Sequence, residues 1–259
     1  MGGVVSEVRV WSEEEFRHSE TEWQELLRRS SADPLFMSWS WQWSWWRHHA
    51  ASLNATLCLV AGYSMHGELV GLAPFHRRRA AHRGPVSAIR LETIGSSWRQ
   101  RHRAAAYSEY LDFIVDPSHE NAFLEALAEF LLRDQHWSDL IVANCKHDSV
   151  AVRFVRKHLD STCYMREADP LVAQLTALPE TFSHYLKALH PGVRRKLWNH
   201  RARLADPQFT CVDADCVDVT FNRLNEFLSS VGARSFSSTA FAHSTGILRA
   251  CVRSAACCA

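Results

Sequence analysis

Apolar residues recur at helical spacing at Trp23, Leu26 and Leu27, and Ser19 precedes Glu22 at the spacing of a capping box. The pattern predicts a helix over about 20–30, ended by Ala32-Asp33-Pro34. Five tryptophans follow: Trp39, Trp41, Trp43, Trp45 and Trp46. As a strand, four of the five would share one face. As a helix, Trp39, Trp43 and Trp46 form one stripe, and Trp41 and Trp45 another. His48-His49-Ala50-Ala51 favours the helix. Aromatic stripes of this kind pack between layers, and a ligand platform is the alternative.

Residues 55–64, with an apolar run of strand length, read as a strand, His66-Gly67 marks a turn, and Leu69–Phe75 reads as the return strand of a hairpin. Further strands are expected at 86–94, 110–115, 139–144 and about 170–176. Asp116-Pro117 suits the cap and first position of a helix. Phe123, Leu127, Phe130 and Leu131 supply that helix with its buried stripe. Ser149–Leu159 also reads as helical. Beyond a boundary near Thr176–Thr181, Tyr185, Leu186, Leu189, Val193, Leu197 and Leu204 mark one or two helices interrupted at Pro191-Gly192. A strand near 209–213 and a helix over about 218–230 close the series. Strands and helices alternate around an early antiparallel hairpin. The expected class is therefore α/β, or α+β layered: a mixed sheet flanked by helices.

The chain has 259 residues, 47% of them apolar and 22% charged. That composition excludes a mostly disordered chain and fits one or two domains at roughly 150 residues each. The net charge of +1, from 29 bases and 28 acids, gives no general pull toward nucleic acid or membrane. No signal peptide and no apolar run of about 18 residues is present, so a cytoplasmic protein without a spanning helix is expected. The cysteines should then be reduced thiols, with Cys58 and Cys145 as small core residues. Cys211 and Cys216 lack a second ligand pair, so no metal site is expected.

Charge is patterned locally. Arg77 to Arg103 holds eight Arg and one acid, Glu92. A solvated pair of loops is the expected form, and a nucleic-acid patch the alternative. Residues 184–204 hold six bases (Lys187, Arg194, Arg195, Lys196, Arg201 and Arg203) and no acid. Arg194-Arg195-Lys196 follow Pro191-Gly192, a placement that suits phosphate contact at a helix start, or a solvated basic face. Asp112 and Glu109 stand at a strand edge, either as a general base or as structural carboxylates. His190 and His200 read as surface residues. No nucleophile elbow, P-loop or dinucleotide fingerprint appears.

Four segments together resemble the CelD-like (BcsL-like) acyltransferases of the GNAT superfamily, relatives of the FemAB-type proteins. They are Pro34–Trp46 with its tryptophans, Gly67-Glu-Leu-Val-Gly-Leu-Ala-Pro-Phe75, Tyr107–Pro117, and Tyr185–Leu204 with its basic helix. The resemblance implies two GNAT-like lobes, with a first lobe at 1–178 and the start of a second at 179–259. It implies transfer of an acetyl group from acetyl-CoA to an amine or hydroxyl acceptor, a small molecule or saccharide, in connection with bacterial cellulose or exopolysaccharide production. In such proteins the pantetheine lies between splayed strands and the pyrophosphate meets a helix N-terminus. Arg194, Arg195 and Lys196 are the expected phosphate contacts and Tyr185 a positioning residue. No general base can be named. A FemAB-like transferase using aminoacyl-tRNA, or a non-catalytic interaction lobe, are the alternatives. No other specific nucleic-acid partner is expected.

The second lobe reads as cut short. The Arg-, Ala-, Ser- and Cys-rich residues 242–259, with Cys251, Cys257 and Cys258, look like an aberrant tail from out-of-frame reading. Exposed apolar surface around Phe221, Leu224, Phe227, Phe236 and Phe241 and resulting self-association are expected.

Overall fold

The computed structural model describes residues 3–81, 87–96, 108–133, 136–167, 172, 176–203, 208, 210–213 and 215–230. Two compact units emerge, Met1–Tyr164 with Asp213–Ala259, and Met165–Val212. The class is α/β, with a mostly antiparallel sheet of six strands and flanking helices.

Two elements escape the sequence pattern. β1 (Val5–Trp11) opens the chain and pairs antiparallel with β2 (Thr56–Ser64). α1 (Glu13–His18) follows it. The capping box belongs to α1, not to the next helix: the Ser12 hydroxyl accepts from Glu15 N–H while the Glu15 carboxylate accepts from Ser12 N–H. Ser19 does stand at the start of α2 (Glu20–Arg29), but its hydroxyl donates to the Phe16 carbonyl and leaves Glu22 uncapped. Spacing alone could not choose between two serines each followed three residues on by Glu.

The tryptophans form a helix, α3 (Trp39–Leu53). Ser38 caps its start, and Asn54 ends it in the left-handed conformation at φ 49°. β2 turns at Gly67 (φ 76°) into β3 (Leu69–Ala81), which pairs in register along almost all of β2. β3 runs six residues beyond the expected end at Phe75. Arg77, Arg78 and Arg79 are therefore strand residues rather than solvated loop. Their partners are Leu91, Arg90 and Ile89 on β4 (Ser87–Thr93).

The strand expected at 110–115 shrinks to β5 (Ile114–Val115), which continues along the same edge of β3 by pairing with Gly71 and Leu72. Asp116 caps a 3-10 turn, Pro117–His119, that leads into α4 (Glu120–Arg133). α4 is the crossover to β6 (Asp139–Ile141), which is parallel to β4 and three residues long rather than six. The sheet order is β1-β2-β3-β4-β6. The helix over 149–159 splits into α5 (Val150–Phe154) and a wider π turn, Val155–Leu159.

Alternation along β2 and β3 sends residues to two cores. One, between the sheet and α1–α3, holds Trp11, Phe16, Trp23, Trp41, Trp45, Leu59 and Leu72. The other, beneath α4 and α5, holds Val60, Ala73, Phe75, Leu91, Phe113, Phe123, Leu127 and Phe154. Burial of each large side chain is worth roughly 1.5–3 kcal/mol. Gly62 and Gly71, paired across β2 and β3, form a slot for Phe123. A Cβ on Gly71 would meet that ring at 2.4 Å.

The second unit contains α6 (Phe182–Ala188) and α7 (Pro191–Ala202), and α8 spans Val217–Ser230. The strand expected near 170–176 lies almost wholly outside the described residues. Near 209–213, residues 210–213 are not strand, and 209 lies outside the description. Leu224 and Phe227 on α8 are exposed, while Phe236, Phe241 and the tail 242–259 lie outside the description. Among the described residues no helix is long and apolar enough to cross a membrane.

Candidate active site

The Trp-faced side of the sheet turns polar where β3 and β4 run on past the hairpin. The alternate residues His76 and Arg78 of β3 and Arg90 and Glu92 of β4 point to this side. His76 is paired with Glu92, and Arg78 with Arg90. β6 adds Asp139 beside Arg90. His76 and Glu92 are both fully buried. The α3 residue Trp45 lies over His76 with ring centroids 5.6 Å apart, and His49 packs on Trp45 at 5.2 Å.

Only one oxygen of the Glu92 carboxylate is held. Arg78 Nη2 donates to Oε1 at 2.7 Å, whereas Oε2 lies 3.9 Å from His76 Nε2 and has no hydrogen-bond partner. Both ring nitrogens of His76 and the indole N–H of Trp45 are likewise unpartnered among the described residues. Buried polar atoms are nearly always satisfied, so such a group is unusual in a packed core. Burial raises the proton affinity of Glu92 above that of an ordinary carboxylate, against the pull of Arg78 and Arg90. Burial, with Arg78 adding to it, drives His76 down to about 3, so the ring is neutral at physiological pH. The cluster approaches solvent at Arg90, whose Nε donates to Asp139 Oδ2 at 3.1 Å.

Asp112 has a structural task. Its oxygens accept from the N–H groups of Phe113, Val150 and Ala151, at 2.7 to 3.1 Å, and so tie the start of α5 to the segment before β5. With those bonds made, it is not placed as a free base. Glu109 is exposed. Burial and the neighbouring Asp112 push the Cys145 thiol up to about 12, which disfavours its thiolate. Cys58 is buried. Among the described residues no three His, Cys, Asp or Glu are grouped to hold a metal ion.

Two places collect cations. The first is a cleft of about 350 Å³ between α4 and α5, lined by Glu120, Asn121, Leu124, Arg153, Arg156 and Lys157. The π turn after α5 brings Arg156 and Lys157 to the same side as Arg153. One carboxylate, Glu120, faces three cations there, and its partner is Arg153 at 2.7 Å. The cleft opens on the first turn of α4, whose positive end adds to the field.

The second place is α7. Arg194, Arg195 and Lys196 lie in its first turns, all exposed, and Tyr185 is half-buried on α6. Arg194 is used within the unit: its Nη2 donates to the carbonyls of Lys187 and Leu189, closing the end of α6. The backbone N–H groups of this turn are occupied as well. Pro191 has none, Gly192 donates to His190 Nδ1, and Val193 and Arg194 donate to the His190 carbonyl. A phosphate at α7 would meet side chains, principally Arg195 and Lys196, rather than a cradle of N–H groups.

Comparison with known proteins gives no family model, no curated protein and no solved structure that significantly matches this chain.

Ending the hairpin at Phe75 leaves His76 outside any expected strand, and Glu92, though inside the strand expected at 86–94, reads only as a lone acid among arginines. The available signal was the period of two carried by charge instead of apolarity: His76 and Arg78 on one strand, Arg90 and Glu92 on the next.

Proposed function

We propose that the first unit transfers an acyl group from a thioester donor such as acetyl-CoA to an amine or hydroxyl acceptor, with Glu92 as the general base. The observation that carries this reading is the unpartnered Glu92 Oε2, buried with raised proton affinity beside a neutral His76. A base whose affinity is lifted toward the working pH is suited to taking a proton in the transition state. Glu92 accepts the proton of the acceptor N–H or O–H as that atom attacks the thioester carbonyl carbon. It returns the proton to the departing thiolate, so the acyl–sulfur bond is replaced by an acyl–nitrogen or acyl–oxygen bond.

The CelD-like resemblance supports a saccharide hydroxyl as the acceptor. Thiol release from acetyl-CoA, followed with panels of amines and saccharides, tests the reading. Glu92→Gln should lower turnover about a hundredfold or more while leaving acetyl-CoA binding in place. Wild-type turnover should rise with pH as Glu92 ionises. Absence of both acetyl-CoA binding and turnover would remove the transferase reading and leave a non-catalytic lobe.

A further inference from the structure

The pair α6 and α7 has a surface that neither the Glu92 cluster nor the α4–α5 cleft explains. Two contacts tie the helices together: Arg194 closes the carbonyl end of α6, and the Arg201 guanidinium lies over the Phe182 ring at 5.2 Å from its centroid. The result is a hairpin that leaves apolar and cationic groups outward together. Trp198 is 61% exposed, Phe182 50%, Val193 47% and Leu197 39%. Around them stand Lys187, Arg194, Arg195, Lys196, Arg201 and Arg203, with no acid between residues 184 and 204. Arg195 and Lys196 have no ion-pair or hydrogen-bond partner among the described residues.

We infer that the α6–α7 hairpin docks on an anionic lipid bilayer surface. The six cations complement acidic headgroups, at a gain that accumulates with each Lys or Arg near the surface. The indole of Trp198 suits the headgroup level, where an apolar body and a polar N–H are both accommodated. Val193 and Leu197, four residues apart on one side of α7 and flanked around the helix by Lys196 and Arg201, supply a narrow apolar strip that meets the acyl boundary. A nucleic-acid strand would use the cations and stack on Trp198, but it has no use for Val193 and Leu197. The mixture of aliphatic and basic groups therefore favours lipid. The hairpin lies on the surface and spans nothing.

Co-sedimentation of the full chain with vesicles tests this. One set is phosphatidylcholine alone, and in the other a third of the lipid is phosphatidylglycerol. Binding is expected to the acidic vesicles only, and to weaken with added salt. Lys196→Gln, beside the Val193–Leu197 strip, should weaken it severalfold, Arg195→Gln, on the far side of α7, should weaken it less, and Trp198→Ala should also weaken it at unchanged charge. Circular dichroism checks that these surface variants stay folded. Equal binding to neutral vesicles, no binding to either set, or tight binding to an RNA oligomer without vesicle binding would overturn the inference. None of these outcomes bears on the Glu92 chemistry, which is read by thiol release in the absence of lipid.

Discussion

The two faces of the six-stranded sheet are built from the same strands and differ in kind. The face under α4 and α5 is mainly apolar, with Phe75, Phe113 and Phe154 packed edge to face and the Gly62–Gly71 slot receiving Phe123; Thr93, Arg77 and Arg79 are its polar positions where β3 and β4 run on together. The face under α3 begins as a tryptophan core and becomes polar at His76 and Glu92. The first face serves mainly to pack, with Thr93 Oγ1 a buried polar atom left unpartnered on its strands among the described residues. The other gives up hydrogen bonds at its buried centre, a cost of roughly 1–3 kcal/mol per unsatisfied group. Such local conflict concentrated on one group of facing side chains is what functional positions tolerate.

The largest effect should come from the residue where the two characters meet. Trp45 is fully buried, packs in the tryptophan core and covers His76. Trp45→Ala is expected to lower stability by about 3–5 kcal/mol, read from the denaturant midpoint at constant m value. A loss below about 1 kcal/mol would mean that the tryptophan face is not a close-packed core, and the contrast between the faces would fail at its base.

On the apolar face the corresponding sensitivity is to added volume. Gly71→Ala places a methyl group against the Phe123 ring and should cost about 1–3 kcal/mol. Phe123→Leu in that background should recover part of the loss, a coupling that a double-mutant cycle measures directly. If the two changes simply add, the slot is not what positions α4 on the sheet.

These residues also mark what could be learned without a structure. The buried stripe of α4 follows from apolar periodicity, because burial there imposes the period; the turn at Gly67 follows from His66-Gly67, and the α3 helix from His48-His49-Ala50-Ala51, since the tryptophan spacing alone fits a strand as well as a helix. β1 does not, since its residues are largely exposed and its burial does not alternate cleanly. The end of β3 does not, because charged residues occupy the positions where apolar ones mark a strand, whereas β4 lies within one residue of its expected bounds. β5 and β6 are shorter than expected because apolar runs such as Phe113–Val115 and Leu140–Ala143 can also be buried outside a strand; before β5, Asp112 holds such a segment to the start of α5. The Glu92 cluster joins positions from α3, β3, β4 and β6, and only the pairing register brings them together.

The smallest effect on stability should be the most informative. His76→Leu replaces a buried ring having two unpartnered nitrogens by an apolar side chain of similar reach. It is expected to leave stability at neutral pH within about 1 kcal/mol of wild type or slightly higher, since removing an unsatisfied buried group offsets the change in shape. The pH dependence gives the sign. His76 binds its proton at about 3 when folded and near 6.5 when unfolded. Above 6.5 neither state is charged and the full stability is present. As pH falls from 6.5 toward 3 the unfolded chain takes up a proton that the folded one refuses, so stability falls by up to about 1.4 kcal/mol per pH unit from this group. Glu92 works in the opposite sense. Its folded affinity lies above the ordinary 4.5, so acidification through that window favours the folded state. Subtracting the His76→Leu profile from the wild-type profile should therefore leave a component that declines on acidification below 6.5. A flat difference would show that His76 keeps ordinary proton affinity in the folded protein. The polar face would then be solvated, and Glu92 would lose the dry setting on which its role as a base depends.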